Sequence, residues 1–315
     1  MAKTAPVPKR AQAEETAQPR RPRIGLALGS GAARGWAHVG VIRVLERAGL
    51  RPDLVCGTSV GALVGAAYAA GELDRFERWL RSLSMADVIS FMDVGLNGGM
   101  IKGERLMAFF RAQFVDRPVE ALEMPFAAVA TALRTGAEVW LREGSTIDAV
   151  RASIALPGLF TPVVRDDHLL VDGGLVNPVP VSLARAMGAE IVIAVDLSTD
   201  ILGRHLRDAE EAPAAAGALG EWKRRLQESL GALIPMSADT PRFPSMLDVL
   251  ASSINIMQVR ICRSRMAGDP PEVIVAPRLA QLGLLDFHRA AEAIEAGERA
   301  AENALPALLD LCARV

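Results

Sequence analysis

Gly57-Thr58-Ser59-Val60-Gly61 is a G-x-S-x-G pentapeptide whose flanks suit a serine nucleophile. Asp53-Leu54-Val55-Cys56 before it reads as a short strand, and Ala62 to Ala70 after it as a helix of small, tightly packing residues. A nucleophile elbow needs that strand-to-helix turn, which exposes the serine oxygen at its apex. The turn is so sharp that a side chain at Gly57 or Gly61 is expected to strike neighbouring backbone. Ser59 would then sit at the positive end of the following helix, which favours its ionised form. Acyl chemistry at such a serine also requires a base and donors for the oxyanion.

The donors have a candidate in Gly29-Ser30-Gly31-Ala32-Ala33-Arg34-Gly35, which follows the apolar run Ile24–Leu28 and opens a helix. Its small side chains let backbone N–H groups approach a ligand, and the helix N-terminus adds positive potential. The rival reading is a dinucleotide fingerprint. Gly29-x-Gly31 matches its first half, but Arg34 stands where the third glycine belongs, and the second strand ends in Gly57 instead of the ribose-binding acid.

For the base, the histidines are His38, His168, His205 and His288. His38 precedes the serine on a helix face, and His168 lies in a polar turn. His205 falls in a segment of irregular composition, and His288 opens the last helix. None is well placed for a triad, although His288 or His205 keeps a triad esterase open as an alternative. Asp172 differs: it ends the strand Leu169-Leu170-Val171 and precedes Gly173-Gly174, which permit a tight turn and close approach of another segment. Sheltered from water, its carboxylate would be basic enough to take the Ser59 proton directly. The blander alternative is an Asx-turn that caps the strand.

The elements that must position these residues alternate. Strands are expected at Ile24–Leu28, Asp53–Cys56, Phe126–Leu133, Glu138–Arg142, Val163–Val164, Leu169–Val171, Ile191–Val195 and Val273–Val275. Helices are expected over Gly35–Ala48, Ala62–Ala70, Leu73–Leu83, Gly103–Phe114, Thr146–Leu156, Val181–Met187, Met246–Met266 and Phe287–Asn303. The order predicts an α/β fold: a three-layer sandwich with a mostly parallel central sheet and helices on both faces. Residues 1–23 read as a disordered tail and 24–315 as one domain, with the motifs in 24–198. A mobile insert is expected at about 202–245, and a helical and strand extension at 246–315. Leu233-Ile234-Pro235-Met236 and Phe243-Pro244-Ser245-Met246-Leu247 are apolar pieces that suit a lid, lipid contact, core packing or a dimer contact.

Composition narrows the function. The 315 residues are 50% hydrophobic and 4% aromatic, enough for a large core of Ala, Val, Leu and Ile. A formal net charge of −2 gives no reason to expect nucleic acid. Cys56, Cys262 and Cys312 are odd in number and far apart, so they read as reduced thiols of a cytoplasmic protein. Cys56 is expected to be plain core. No ligand cluster has metal-binding spacing, so no metal or cofactor is expected. No apolar run is long enough to span a bilayer, which leaves peripheral contact with the inner membrane surface and homo-oligomerisation open.

Taken in order, the Gly29–Gly35 loop, Gly57-Thr58-Ser59-Val60-Gly61 and Asp172-Gly173-Gly174 resemble the patatin-like phospholipases. Ala37–Val41, Arg151-Ala152-Ser153 through Pro157-Gly158, and Val176-Asn177-Pro178-Val179-Pro180 match as well. The similarity covers about Ile24 to Ser198. The tail, Met266–Pro271 with Leu285–Ala291, is similar to the bacterial RssA-type branch, related to neuropathy target esterase. The resemblance implies a Ser–Asp dyad of Ser59 and Asp172, with the oxyanion held by the amides of Ser30, Gly31 and Ala32. Gly29, Arg34, Gly35, Gly57, Gly61, Gly173 and Gly174 would support the motifs. Family members often carry Gly where this chain has Ser30 and Ala32. Arg34 would hold the loop or meet a lipid phosphate, a surface salt bridge being the plainer option. The implied activity is hydrolysis of acyl esters of phospholipids or lysophospholipids through an acyl-enzyme. The alternative is a regulatory or adaptor protein that keeps the fold with little turnover.

Overall fold

The computed structural model describes residues 21–91, 103–114, 116–200 and 246–313. Its centre is an eight-stranded sheet. The strands are β1 (Ile24–Leu28), β2 (Leu54–Thr58), β3 (Phe126–Ala132), β4 (Ala137–Leu141), β5 (Val163–Arg165), β6 (His168–Asp172), β7 (Ile191–Val195) and β8 (Val273–Val275). The order is β5-β6-β3-β2-β1-β7-β8, with β4 also paired to β3. β3, β2, β1, β7 and β8 run parallel, while β4, β6 and β5 add an antiparallel flank.

The helices are α1 (Ala37–Arg47), α2 (Val60–Ala69), α3 (Leu73–Ser82), α4 (Met85–Phe91), α5 (Glu104–Gln113), α6 (Thr146–Ser153), α7 (Val181–Ala186), α8 (Met246–Gly268) and α9 (Ala290–Ala313). Because neighbouring strand residues point to opposite faces, each central strand feeds two cores. Leu26, Leu28, Val55 and Ile193 pack in one core with side chains of α1, α2, α6 and α9. Ala27, Leu54, Cys56 and Val192 pack in the other with α7 and with Cys262 of α8. Burial on both faces explains why β1, β2, β3 and β7 read as continuous apolar runs. The expected three-layer α/β architecture is the one observed.

The register of β3 brings the chemistry together. Ala128 and Val129 pair with both β2 and β4, and Ala130, Thr131 and Ala132 pair with both β4 and β6. A strand has only two edges, so β2 and β6 lie end to end along the edge opposite β4. Thr58 pairs with Val129 and Asp172 with the next residue, Ala130. β2 runs with β3 and β6 against it, so their C-terminal ends meet. Ser59 and Asp172, 113 positions apart, become neighbours through hydrogen-bond registry alone.

Several expectations need correction. Ordered chain begins before Ile24: Arg21 Nη2 lies 2.6 Å from Asp53 Oδ1, and the Arg23 carbonyl accepts from Glu190 and Ile191 N–H. The last helix starts at Ala290 rather than Phe287 and extends to Ala313 with Pro306 inside. Its start is delayed because the Asp286 carboxylate accepts the Gly283 N–H at 2.9 Å, closing a turn ahead of it. The first helix is preceded by a 3₁₀ turn at Ala32–Trp36. Helix α4 was not expected, yet Ser84 and Asp87 cap it reciprocally, each side chain accepting the other's N–H. Residues 1–20 and the segment at about 202–245, with its apolar pieces and His205, lie outside the described residues, as do the side chains of Met246, Leu247 and Cys312. Among the described residues no helix is long and apolar enough to cross a membrane.

Candidate active site

Ser59 follows β2 and precedes α2 with φ +57° and ψ −126°, a backbone region that non-glycine residues occupy only under constraint. The flanking glycines supply that constraint. A Cβ on Gly57 would lie 2.3 Å from the Gly61 carbonyl carbon, and one on Gly61 would lie 2.2 Å from the Leu28 carbonyl oxygen. The expected backbone collisions are therefore real. They let the elbow press against the end of β1, where the glycine-rich loop starts.

The Ser59 hydroxyl donates to Asp172 Oδ2 at 2.6 Å. Asp172 Oδ1 accepts the Gly174 N–H at 2.7 Å. The Asx-turn and the serine contact thus coexist, one on each oxygen, and the turn aims the other oxygen at the serine. Thr131 Oγ1 donates to the Asp172 carbonyl at 2.8 Å, and the Asp172 N–H donates to the Ala155 carbonyl at 3.0 Å. Asp172 is 1% exposed. That burial pushes its carboxyl up to about 6, against the opposing pull of the Ser59 and Gly174 hydrogen bonds.

In the glycine-rich loop the Ser30 N–H donates to the Pro178 carbonyl at 2.8 Å. The expectation that Ser30 supplies an oxyanion donor is corrected: its amide anchors the loop. The amides of Gly31 and Ala32 have no backbone partner among the described residues. Ala32 has φ +50°, so this chain places alanine in a conformation that glycine adopts more readily. Arg34 is 1% exposed and its Nε donates to the Leu282 carbonyl at 3.0 Å. Burial lowers its pKa to about 10 despite the nearby Asp200 and Asp286 carboxylates. Its place is under the loop rather than in a surface salt bridge. The Ala33 N–H donates to the Leu284 carbonyl at 3.2 Å, adding a second tie to the same segment.

No histidine hydrogen-bonds to Ser59 or Asp172 among the described residues. His38 is fully buried, and burial pushes it down to about 4 against a raising hydrogen bond to the backbone. The neutral ring lies with Nε2 2.7 Å from the Gly29 carbonyl, so it donates there and braces the loop. Exposed His168 contacts the Asp166 carbonyl through Nδ1. Cys56 is core, its thiol pushed up by burial. Thr58 Oγ1 donates to the Asn177 carbonyl at 2.8 Å. The Asn177-Pro178 stretch, quoted above for resemblance alone, therefore buttresses both the elbow and the glycine loop.

A cavity of about 110 Å³ runs from Ser59 and Ala32 beneath α3, α4 and α5. Every lining residue except Ser59 is aliphatic or aromatic, with Leu63, Trp79 and Phe110 among them. Periodicity does not reveal this pocket, because its aromatics come from α3, α4, α5, the 3₁₀ turn and two loops, whose packing the sequence does not display. Among the described residues no group of three His, Cys, Asp or Glu side chains could hold a metal ion.

The chain is similar to several known proteins. The family model for patatin-like phospholipase matches residues 26–185. An NTE family protein of Mycobacterium tuberculosis is 33% identical over 337 residues, covering 91% of this chain and 92% of that protein. Patatin-like phospholipase domain-containing protein 6 of Homo sapiens is 36% identical over 184 residues, covering 56% of this chain and 13% of that protein. The crystal structure of VipD from Legionella pneumophila aligns with a TM-score of 0.45 and 14% identity, covering 91% of this chain and 67% of that one. By the span of the family match and the near-complete coverage of the mycobacterial relative, the chain belongs to the patatin-like phospholipase family.

Proposed function

We propose that the protein hydrolyses acyl esters of phospholipids or lysophospholipids through an acyl-Ser59 intermediate, with Asp172 as the base. The observation that carries this reading is the 2.6 Å contact from Ser59 Oγ to a buried carboxylate at one end of an apolar cavity. Ser59 Oγ attacks the ester carbonyl carbon while its proton passes to Asp172 Oδ2. The Gly31 and Ala32 amides hold the oxyanion, each donor contributing about 3 kcal/mol. Collapse expels the alcohol, which takes the proton back from Asp172. Water then attacks the acyl-enzyme, giving its proton to Asp172, and Ser59 recovers it as the fatty acid leaves. The apolar cavity receives the acyl chain, because burying each methylene there is worth about 0.8 kcal/mol. The cycle uses no metal or cofactor, and a cytoplasmic setting with peripheral membrane contact suits such substrates.

A fluorophosphonate probe is expected to label the native chain and to leave Ser59→Ala unlabelled. A lipid-class panel on the same pair identifies the head group. Labelling that persists in Ser59→Ala would refute the reading. A panel with no Ser59-dependent turnover would favour the adaptor alternative.

The cavity makes its own prediction. Leu63 lines it one helical turn beyond Ser59, so Leu63→Trp narrows the channel near the reacting serine. On long-chain esters kcat/KM is expected to fall about tenfold more than on acetyl or butyryl esters, as a misplaced acyl chain costs about that much. Equal losses across chain lengths, measured on an ester series, would show that the acyl chain binds elsewhere.

A further inference from the structure

Ser59 reaches its reactive position only in a backbone conformation that is unfavourable for an L-residue, with φ +57°. Something beyond the flanking glycines must hold its peptide. The Ser59 N–H donates to Ser153 Oγ at 2.9 Å, and Ser153 Oγ donates to the Val129 carbonyl at 2.6 Å. Ser153 is the last residue of α6 and is fully buried. We infer that Ser153 is a positioning residue that keys the nucleophile to the same strand that holds the base.

The hydroxyl has a fixed direction. Its one proton goes to Val129, so a lone pair must face the Ser59 amide. Val129 is the β3 residue paired with Thr58, and its neighbour Ala130 pairs with Asp172. Through Ser153, the nucleophile's peptide is therefore measured against β3 one residue from the base. The chain just beyond α6 acts on Asp172 too, since the Ala155 carbonyl accepts the Asp172 N–H at 3.0 Å. The Ser153 contact also occupies the nucleophile's own amide. That amide is then absent from the oxyanion site.

This inference rests on the hydrolase reading, and the experiment separates the two. Steady-state kinetics on a lipid ester are compared for native protein, Ser59→Ala, Ser153→Ala and Ser153→Cys, with folding followed by circular dichroism. For folded Ser153→Ala, kcat is expected to fall about 10- to 100-fold, the scale of a slightly misplaced reacting group. KM is expected to stay within about threefold, because Ser153 does not line the acyl cavity. The acid limb of the pH profile near 6 stays in place, because Ser153 makes no contact with the Asp172 carboxylate. Ser153→Cys keeps a larger, weaker acceptor and is expected to lose part of the rate. It decides the matter if Ser153→Ala does not fold. A kcat within about twofold of native in the deciding variant overturns the inference alone, as does a loss that appears only in KM. Native protein without Ser59-dependent turnover overturns the hydrolase reading and this inference with it.

Discussion

Asp172→Asn is expected to lower kcat by about three orders of magnitude, the middle of the range for loss of a positioned general base. The amide can keep the turn to Gly174 and still meet Ser59 Oγ, but it cannot take the proton. In the native protein the same carboxyl sets the pH dependence. It must be ionised to act, and burial holds it near 6. Log kcat/KM should therefore rise with unit slope below about pH 6 and level off above it.

Stability should move the opposite way. The folded state binds the Asp172 proton more tightly than the unfolded chain, whose carboxyl titrates near the ordinary value of about 3.9. Between about pH 4 and about pH 6 the folded form keeps a proton that the unfolded form has lost, so this group lowers stability as pH rises through that window. Above it, the full penalty persists. A neutral asparagine avoids the penalty, so Asp172→Asn should unfold at higher temperature than native at pH 8, by at most on the order of 3 kcal/mol. The difference should vanish below about pH 4. Thermal melts at both pH values, read beside the kinetics, check the pair. Near-native turnover in the folded variant would remove Asp172 as the base. A less stable variant at pH 8 would show that the carboxylate is not under strain from burial.

Gly61→Ala is expected to be among the most damaging small substitutions at the candidate site. Its new Cβ would lie 2.2 Å from the Leu28 oxygen, 2.6 Å from the Leu28 carbonyl carbon and 2.7 Å from the Gly29 oxygen. All three atoms are backbone, at the end of a central strand and the start of the glycine-rich loop, so no side chain can swing away. Overpacking of this kind costs about 3 kcal/mol or more. Any fold that survives must displace the loop that would hold the oxyanion. We expect loss of soluble protein, or a folded variant that fluorophosphonate labels poorly. Gly268→Ala is the matched control, since nothing lies within 4 Å of its added Cβ, and its stability should change by less than about 0.5 kcal/mol. Denaturant midpoints of the two variants test the contrast.

Much of the fold was legible because both periodicity and punctuation are local. β1, β7 and β8 have the expected bounds, each an apolar run that ends at polar or turn residues. The elbow was legible for the same reason: glycine, serine and glycine lie within five residues. The final helix starts later than its hydrophobic spacing suggests, because Asp286 reaches back to Gly283, a contact that spacing does not encode. Helix α4 is marked in the sequence only by the short capping pair Ser84-x-x-Asp87. The Ser30 amide looks free in the sequence until Asn177-Pro178, distant along the chain, folds against it.

By itself the sequence determined the elements, the apolar faces that assemble them, and the residue types able to perform acyl transfer. These follow from side-chain pattern and short-range turn chemistry, which depend only on near neighbours along the chain. Which carboxylate meets Ser59, which amides remain for an oxyanion, and that Ser153 and His38 brace the centre were decided by the tertiary structure. Most of those contacts join residues tens to more than a hundred positions apart, and the Ser59–Asp172 contact exists only once β2 and β6 share one edge of β3. The same packing excludes water from Asp172. A carboxylate that any turn could have carried thereby gains the basicity its proposed role requires.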